Sequence, residues 1–265
     1  MKLPIYQIDA FTSRLFGGNP AAVVVLDRWL PEDILQGIAA ENNLSETAFV
    51  IPKEEMAPLR WFTPAVEVDL CGHATLATGH VLFSHYFPSL GKLSLSTRSG
   101  ALAVSREGDL LSLDFPSRPG VPIEISRDLV SALGSRPKEA YLARDILAIF
   151  DTEAEIRGLR PDFERIARLD ALAVIVSAPG TGVDFVSRFF APGVGIPEDP
   201  VTGSAHCTLV PYWAGRLGKH ELAAQQLSSR GGELACELRG DRVTIAGRTV
   251  EYLRGEIEVP FNGAG

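Results

Sequence analysis

The sequence predicts an α+β fold made of two similar halves, each of many strands with one central apolar helix. Three observations predict it. Arg60-Trp61-Phe62-Thr63-Pro64 is echoed by Arg188-Phe189-Phe190-Ala191-Pro192, and each is followed by a turn-rich loop with acids, a glycine and a helical pattern. The offset, 188 − 60 = 128 residues, is close to half of the 265-residue chain, which reads as a duplicated unit rather than a solenoid repeat. Each half holds one apolar helical stretch, Gly72 to about Tyr86 and then Gly203 to about Leu217, where Ala205, Leu209, Tyr212 and Trp213 recur at helical spacing. The rest falls into short apolar or alternating runs parted by Gly, Pro, Asn and Asp clusters. The alternation of strand and helix is too irregular for a Rossmann sheet, and no GxGxxG or P-loop pattern is present.

In chain order, Leu3 to Phe11 alternates and reads as a strand, and Gly17-Gly18-Asn19-Pro20 as a turn. Ala21 to Leu26 is a continuous apolar strand. Pro31 suits a first helical position, with Ile34, Leu35 and Ile38 as the apolar stripe and an end near Asn42-Asn43. Strands follow at Ser45 to Ile51 and Leu59 to Thr63, then the first loop and helix. Leu93 to Leu95, Ala101 to Val104 and Leu110 to Phe115 read as strands. Pro116 to Pro122, with three prolines and a glycine, is the linker candidate, so the halves are predicted at 1–116 and 117–265. The second half has helices near Ser126 to Leu133 and Asp162 to Leu169. Its strands fall at Glu139 to Ala143, Ile146 to Phe150, Ala171 to Ser177 and Asp184 to Phe190, with an irregular loop from Pro192 through Asp199. It ends in strands at Gln226 to Ser229, Glu233 to Leu238, Arg242 to Ala246 and Thr249 to Val259.

A formal charge of −8 disfavours nucleic acid or an anionic membrane as the main partner. Three cysteines, an odd number, argue against a disulfide framework and for a reducing compartment. No apolar run reaches the ~20 residues needed to span a bilayer, and no secretory leader is apparent. A cytoplasmic location is the expectation.

The loops leading into the two apolar helices are the candidate site. Gly72-His73 opens the first, and Gly203-Ser204, after Glu198-Asp199-Pro200-Val201-Thr202, opens the second. A helix N-terminus carries unpaired N–H groups and partial positive charge, so it receives a carboxylate or phosphate readily. Two such termini facing one cleft would hold a small anion between the halves. The histidines and cysteines match no zinc spacing, so no metal is expected. Cys207 and Cys236 read as core residues.

Five stretches in order resemble the phenazine-biosynthesis isomerase family, whose fold is that of diaminopimelate epimerase. They are Asp9-Ala10-Phe11-Thr12 with Gly18-Asn19-Pro20-Ala21; Asn43-Leu44-Ser45-Glu46-Thr47-Ala48-Phe49; Arg60 to Pro64; Cys71-Gly72-His73-Ala74-Thr75; and Glu198 to Ala205. The resemblance implies two pseudo-symmetric halves, each a strand-rich cup around a central helix, with the site in the cleft between them and no cofactor. It also implies roles. Glu46 matches the general acid/base: an enclosed carboxyl group, its charge disfavoured by burial, takes a proton from one carbon and returns it to another. His73 and Asp199 match residues that line the site, orient substrate and assist proton transfer. Gly72, Gly203 and Ser204 would bind the substrate carboxylate and developing enolate-like charge, and Asn19 is a further polar contact or a turn residue. Related epimerases place a cysteine before each helix glycine. Here the positions are Cys71 and Thr202, and a hydroxyl is too weak an acid to replace a thiolate, so two-cysteine racemisation is disfavoured while Cys71 stays a candidate contact. The resemblance implies a small unsaturated, amino or hydroxy carboxylic acid as substrate; the family's named member acts on trans-2,3-dihydro-3-hydroxyanthranilate. It also implies a homodimer and closure of the halves on ligand. The alternatives are a Cys71-dependent epimerase or dehydratase, and a non-catalytic binding module.

Overall fold

The computed structural model describes residues 1–260. They pack as two units. The first contains Met1–Asp114 and the described residues from Gly247 to Pro260, and the second Phe115–Ala246.

In the first unit, β1 (Lys2–Ala10) and β2 (Asn19–Val25) precede α1 (Glu32–Asn42). Then come β3 (Glu46–Val50), β4 (Ala57–Phe62), β5 (Glu67–Val68), the central helix α2 (Gly72–Val81) and a π-turn over Leu82–Tyr86. β6 (Lys92–Thr97), β7 (Gly100–Glu107) and β8 (Leu110–Pro116) complete the continuous part. The second unit runs β9 (Val121–Pro122), α3 (Arg127–Leu133), β10 (Glu139–Leu142), β11 (Ile146–Ile149), α4 (Glu153–Gly158), α5 (Phe163–Ile166) and β12 (Val174–Pro179). It continues with β13 (Phe185–Ala191), β14 (Ile196–Asp199), the central helix α6 (Gly203–Leu217), β15 (Glu221–Gln226), β16 (Gly232–Arg239) and β17 (Arg242–Gly247). β18 (Thr249–Glu258) returns to the first unit.

The ladders repeat pairing for pairing. In the first unit β2 is parallel to β3, β3 antiparallel to β4, β4 antiparallel to β5 and parallel to β6, and β6 antiparallel to β7. In the second, β11, β12, β13, β14, β15 and β16 make the same parallel and antiparallel choices in the same order. β1 lies between β2 and β18, both antiparallel to it. The C-terminal strand therefore corrects the expected division at 116: residues 117–265 are not one half, because Lys2 to Ala10 takes its partners from Thr249 to Glu258.

The central helices explain the strand-rich surroundings. Apart from Gly72 and His80, every residue of α2 is buried, and β1, β2, β3, β7 and β18 all pack on it. A helix apolar on all faces is stable in water only when enclosed. Its threonines turn inward: Thr75 Oγ1 donates to Cys71 O at 2.5 Å and Thr78 Oγ1 to Ala74 O at 2.8 Å, so no hydroxyl is buried unpaired. In α6, Pro211 removes the N–H that would bond Cys207 O; the linker supplies Arg118 N–H there instead, at 2.8 Å. This docks part of the stretch read as a linker.

Local differences from the sequence reading have local causes. Pro31 is the N-cap of α1, extended at ψ 146°, rather than its first helical residue. α5 is shorter than Asp162 to Leu169, capped at its start by the Asp162 side chain. α4 comes from a capping box between Thr152 and Glu155 that the sequence reading passed over. The strand expected at Gln226 to Ser229 ends at Gln226 and begins at Glu221. The stretch through Asp199 is less irregular than expected, because Ile196–Asp199 forms β14 against β13.

Candidate active site

Glu46 opens β3, paired with Ala21 of the parallel neighbour β2. Two residues before that partner on β2 stands Asn19, fully buried. Gly18 makes this entry possible: its φ is +61°, and a Cβ there would sit 2.1 Å from Ala10 O. His73 is the second residue of α2, which drives its ring toward both strands. Its Nε2 lies 3.2 Å from Glu46 Oε2, with the two side chains only 7% and 13% exposed. Its Nδ1 lies 3.2 Å from Asn19 Nδ2 and 3.5 Å from Cys71 Sγ. Four of the sequence-predicted residues, Asn19, Glu46, Cys71 and His73, thus form one buried cluster.

An amide N–H given to Nδ1 leaves the ring proton of a neutral imidazole on Nε2, facing the carboxylate. The imidazolium carries a hydrogen on Nδ1 as well, which Cys71 Sγ can accept and the Asn19 N–H group cannot. Burial alone would lower the His73 pKa, but Cys71 and Glu46 outweigh it and hold the imidazole well above its ordinary value. Burial, and then the Glu46 charge, pushes the Cys71 thiol up. The thiol, imidazole and carboxylate donors lie within 4.8 Å of one another, a grouping of a kind that can hold a metal ion. In this structure the three groups face one another.

In the second unit, Asp199 ends β14 and Thr202 precedes α6. The Thr202 hydroxyl does not cap its helix. It donates to Asp199 Oδ2. Gln226, at the end of β15, accepts Thr202 N–H on Oε1 at 2.9 Å and donates from Nε2 to Asp199 O at 2.8 Å. His206 Nδ1 lies 2.9 Å from Thr202 O, and burial lowers the His206 pKa to about 4. Ser204 Oγ accepts from Arg144 Nη2 at 3.1 Å, and Arg144 also pairs with the buried Asp145. Neither Cys71 nor Thr202 makes a side-chain cap, so Gly72 and Gly203 begin helices whose first N–H groups have no side-chain cap acceptor. Gln226, His206 and Arg144 were not anticipated. Gln226 did carry a signal: Leu222, Ala224 and Gln226 share the inward face of β15 at period two, and a polar residue in that register has to find partners.

Among the described residues no helix is long and apolar enough to cross a membrane. A family model described as phenazine biosynthesis-like protein, PhzC-PhzF, matches residues 8–255. An uncharacterized isomerase of Pseudomonas aeruginosa is 52% identical over 260 residues, 98% of this chain and 100% of that one. A human phenazine biosynthesis-like domain-containing protein is 42% identical over 291 residues, 97% of this chain and 99% of that one. The crystal structure of a PhzF-family protein from Enterococcus faecalis superposes with a TM-score of 0.96 at 47% identity, over 97% of this chain and 100% of that one. A hydroxyproline epimerase from Agrobacterium vitis shares the fold at a TM-score of 0.63 and 11% identity, over 99% of this chain and 94% of that one. The two-unit, strand-wrapped architecture is therefore the diaminopimelate epimerase-like fold, and the chain belongs to the phenazine biosynthesis-like (PhzC-PhzF) family of isomerases.

Proposed function

We propose that the chain catalyses a cofactor-independent proton shift between two carbons of a small unsaturated, amino or hydroxy carboxylic acid, similar to trans-2,3-dihydro-3-hydroxyanthranilate. The observation that carries this reading is the buried Glu46–His73 contact at the start of α2. Glu46 takes the proton from an acidic C–H beside a π system. The C–H electrons enter that system, the double bond moves, and Glu46 returns the proton to the far carbon. Atoms and charge balance with no co-reactant. His73 Nε2 stands 3.2 Å from Glu46 Oε2 as the cationic side of an ion pair rather than through an aligned hydrogen bond. Gly72 N–H, and in the second unit Gly203 N–H and the Ser204 hydroxyl, are assigned the substrate carboxylate, and Asp199 a substrate hydrogen bond.

A second reading uses Cys71 as the base for epimerisation or dehydration. Its thiol touches His73 Nδ1, but the upward push on its pKa favours the neutral thiol, which is a poor base at neutral pH.

Proton NMR in heavy water tests both, with trans-2,3-dihydro-3-hydroxyanthranilate and a panel of unsaturated and amino acids as probes. Deuterium at carbon is expected with wild type and Cys71→Ser, and at least about 100-fold slower with Glu46→Gln. Exchange that survives Glu46→Gln and is lost in Cys71→Ser would move the base to the thiol. Binding of the probes without any exchange would leave a binding module.

A further inference from the structure

We propose that Gln226 is a positioning residue that aims the Asp199 carboxylate through Thr202. The proposal deepens, and rests on, the reading that Asp199 touches substrate.

Gln226 is fully buried and uses both ends of its amide in opposite senses. Its Nε2 donates to Asp199 O at 2.8 Å and approaches Thr202 Oγ1 at 3.3 Å, while its Oε1 accepts Thr202 N–H at 2.9 Å. Those main-chain groups lie on either side of the Pro200-Val201 turn, which has no ladder of its own. Only a side chain with a donor and an acceptor side by side satisfies both, and Gln provides that pair. Thr202 completes the chain. Its hydroxyl has one hydrogen, which it gives to Asp199 Oδ2. Its lone pairs are then left for the Gln226 N–H. The order amide, hydroxyl, carboxylate therefore runs one way and fixes one face of the Asp199 carboxylate. His206 Nδ1 lies 2.9 Å from the carbonyl oxygen of the same threonine. The clamp is anchored on sheet, not loop, because β15 pairs with β13 from Phe185 to Ser187.

The duplicated fold supplies a control. β6 stands to β4 as β15 stands to β13, with Ala57 opposite Leu95 and Phe185 opposite Ala224. By that register Gln226 matches Thr97. Thr97 Oγ1 bonds Gly100 O instead, within its own hairpin. In the first unit the loop carbonyl of Asp69 is held by Ser99 Oγ at 2.7 Å, an exposed contact. The scaffold thus folds without a buried amide clamp. The clamp occurs in the unit where an acid is held at the end of the loop.

The test measures carbon-bound deuterium exchange in wild type, Gln226→Met, Thr202→Val, Asp199→Asn and the Asp199→Asn/Gln226→Met double variant. The probe is whichever panel acid wild type exchanges. Gln226→Met keeps side-chain length and removes the hydrogen bonds; Thr202→Val keeps the Thr202 N–H bond to Gln226 and removes only the relay hydroxyl. Each is expected to lower kcat about 10- to 100-fold, as small displacements of a reacting group do, with KM within about twofold. The double variant is expected to be no slower than Asp199→Asn alone, since residues acting through one group are not additive. Wild-type kcat in Gln226→Met, or losses that multiply in the double variant, would overturn the proposal. So would a lowered melting point with kcat per folded molecule unchanged.

If wild type exchanges no probe, the functional reading fails separately, and amide hydrogen exchange still decides the clamp. Thr202 N–H is then expected to exchange at least about 10-fold faster in Gln226→Met than in wild type. An unchanged rate at Thr202 would sink it.

Discussion

Arg60 and Arg188 do the same work in the two units, whereas the residues that open the two central helices do not. Arg60 forms a two-point pair with Glu67, at 2.6 Å on each arm, and lies 5.1 Å over the Phe62 ring. Arg188 forms the same pair with Glu198, at 2.8 and 2.9 Å, and lies 4.9 Å over Phe190. Each pair ties the strand before the loop to the loop itself. Past it the offset changes from 128 residues to 203 − 72 = 131, the extra length lying in the Pro192–Val194 turn region. At the matched positions, Cys71, Gly72 and His73 stand against Thr202, Gly203 and Ser204. Phe49 faces Arg60 and Val176 faces Arg188, so by register Glu46 is matched by Ala173. One unit keeps a carboxylate, an imidazole and a thiol in contact. The other keeps an alanine and hydroxyls there, and holds its acid, Asp199, by hydrogen bonds from the loop and β15. The two units share what positions the helix N-terminus and differ in the chemistry placed on it.

The comparison can be broken at four points. The largest effect is expected from making the first unit resemble the second at Glu46. Glu46→Ala should cost about 10²- to 10⁴-fold in exchange rate with little change in the urea midpoint; a rate within threefold of wild type would remove Glu46 from the chemistry.

The shared arginines come next. Arg188→Met strands the Glu198 charge and frees the Ile156 and Leu159 carbonyls that Arg188 Nη1 holds at 3.1 Å. A cost of about 3–5 kcal/mol is expected by urea unfolding. Arg60→Met should cost less, about 1–3 kcal/mol, because Glu67 retains Arg98 at 2.6 Å. The reverse order would show that the two pairs are not equivalent supports.

His73 at the start of α2 and His206 in the first turn of α6 are shifted in opposite directions, and the pH dependence of stability reads the difference. The His206 pKa falls from 6.5 to about 4 on folding. The unfolded chain therefore binds the extra proton between those values, and stability is lost as pH falls through that window, by at most about 3 kcal/mol. His73 is raised above 6.5. Its contribution is fully present below that value and is lost as pH rises through the folded pKa. His206→Gln should flatten the acid side of a stability–pH curve, and His73→Gln the side above pH 6.5. The same side flattened by both variants would contradict the assignment.

The smallest effects concern glycines of the central helices. A Cβ at Gly79 of α2 would meet Val104 Cγ1 at 2.8 Å, while at Gly215 of α6 nothing lies within 4 Å. Gly79→Ala should destabilise by about 1–2 kcal/mol, and Gly215→Ala should stabilise by about 0.5–1 kcal/mol. Melting temperatures moving in the same direction would show that the two helices are equally free.

Much of this was legible in the sequence, for local reasons. The Arg60 and Arg188 strands, the glycine at each helix start and the largely apolar helices are short-range patterns, each carried by residues a few positions apart. Glu46, His73 and Cys71 could be picked out individually by resemblance. Their mutual contacts could not, since Asn19 and His73 are 54 residues apart and no periodicity links them. Gln226 was passed over because its partners lie 24 and 27 residues away.

The sequence by itself determined the duplicated α+β plan, the two enclosed helices and the residue types at their N-termini, because burial and turn formation are written in local pattern. Tertiary structure decided which unit the last strand joins, which side chains face His73, and what holds Asp199. Those choices depend on ladder register between distant segments, from β1 against β18 to β15 against β13, and a shift of one residue would turn each of these side chains to the opposite face.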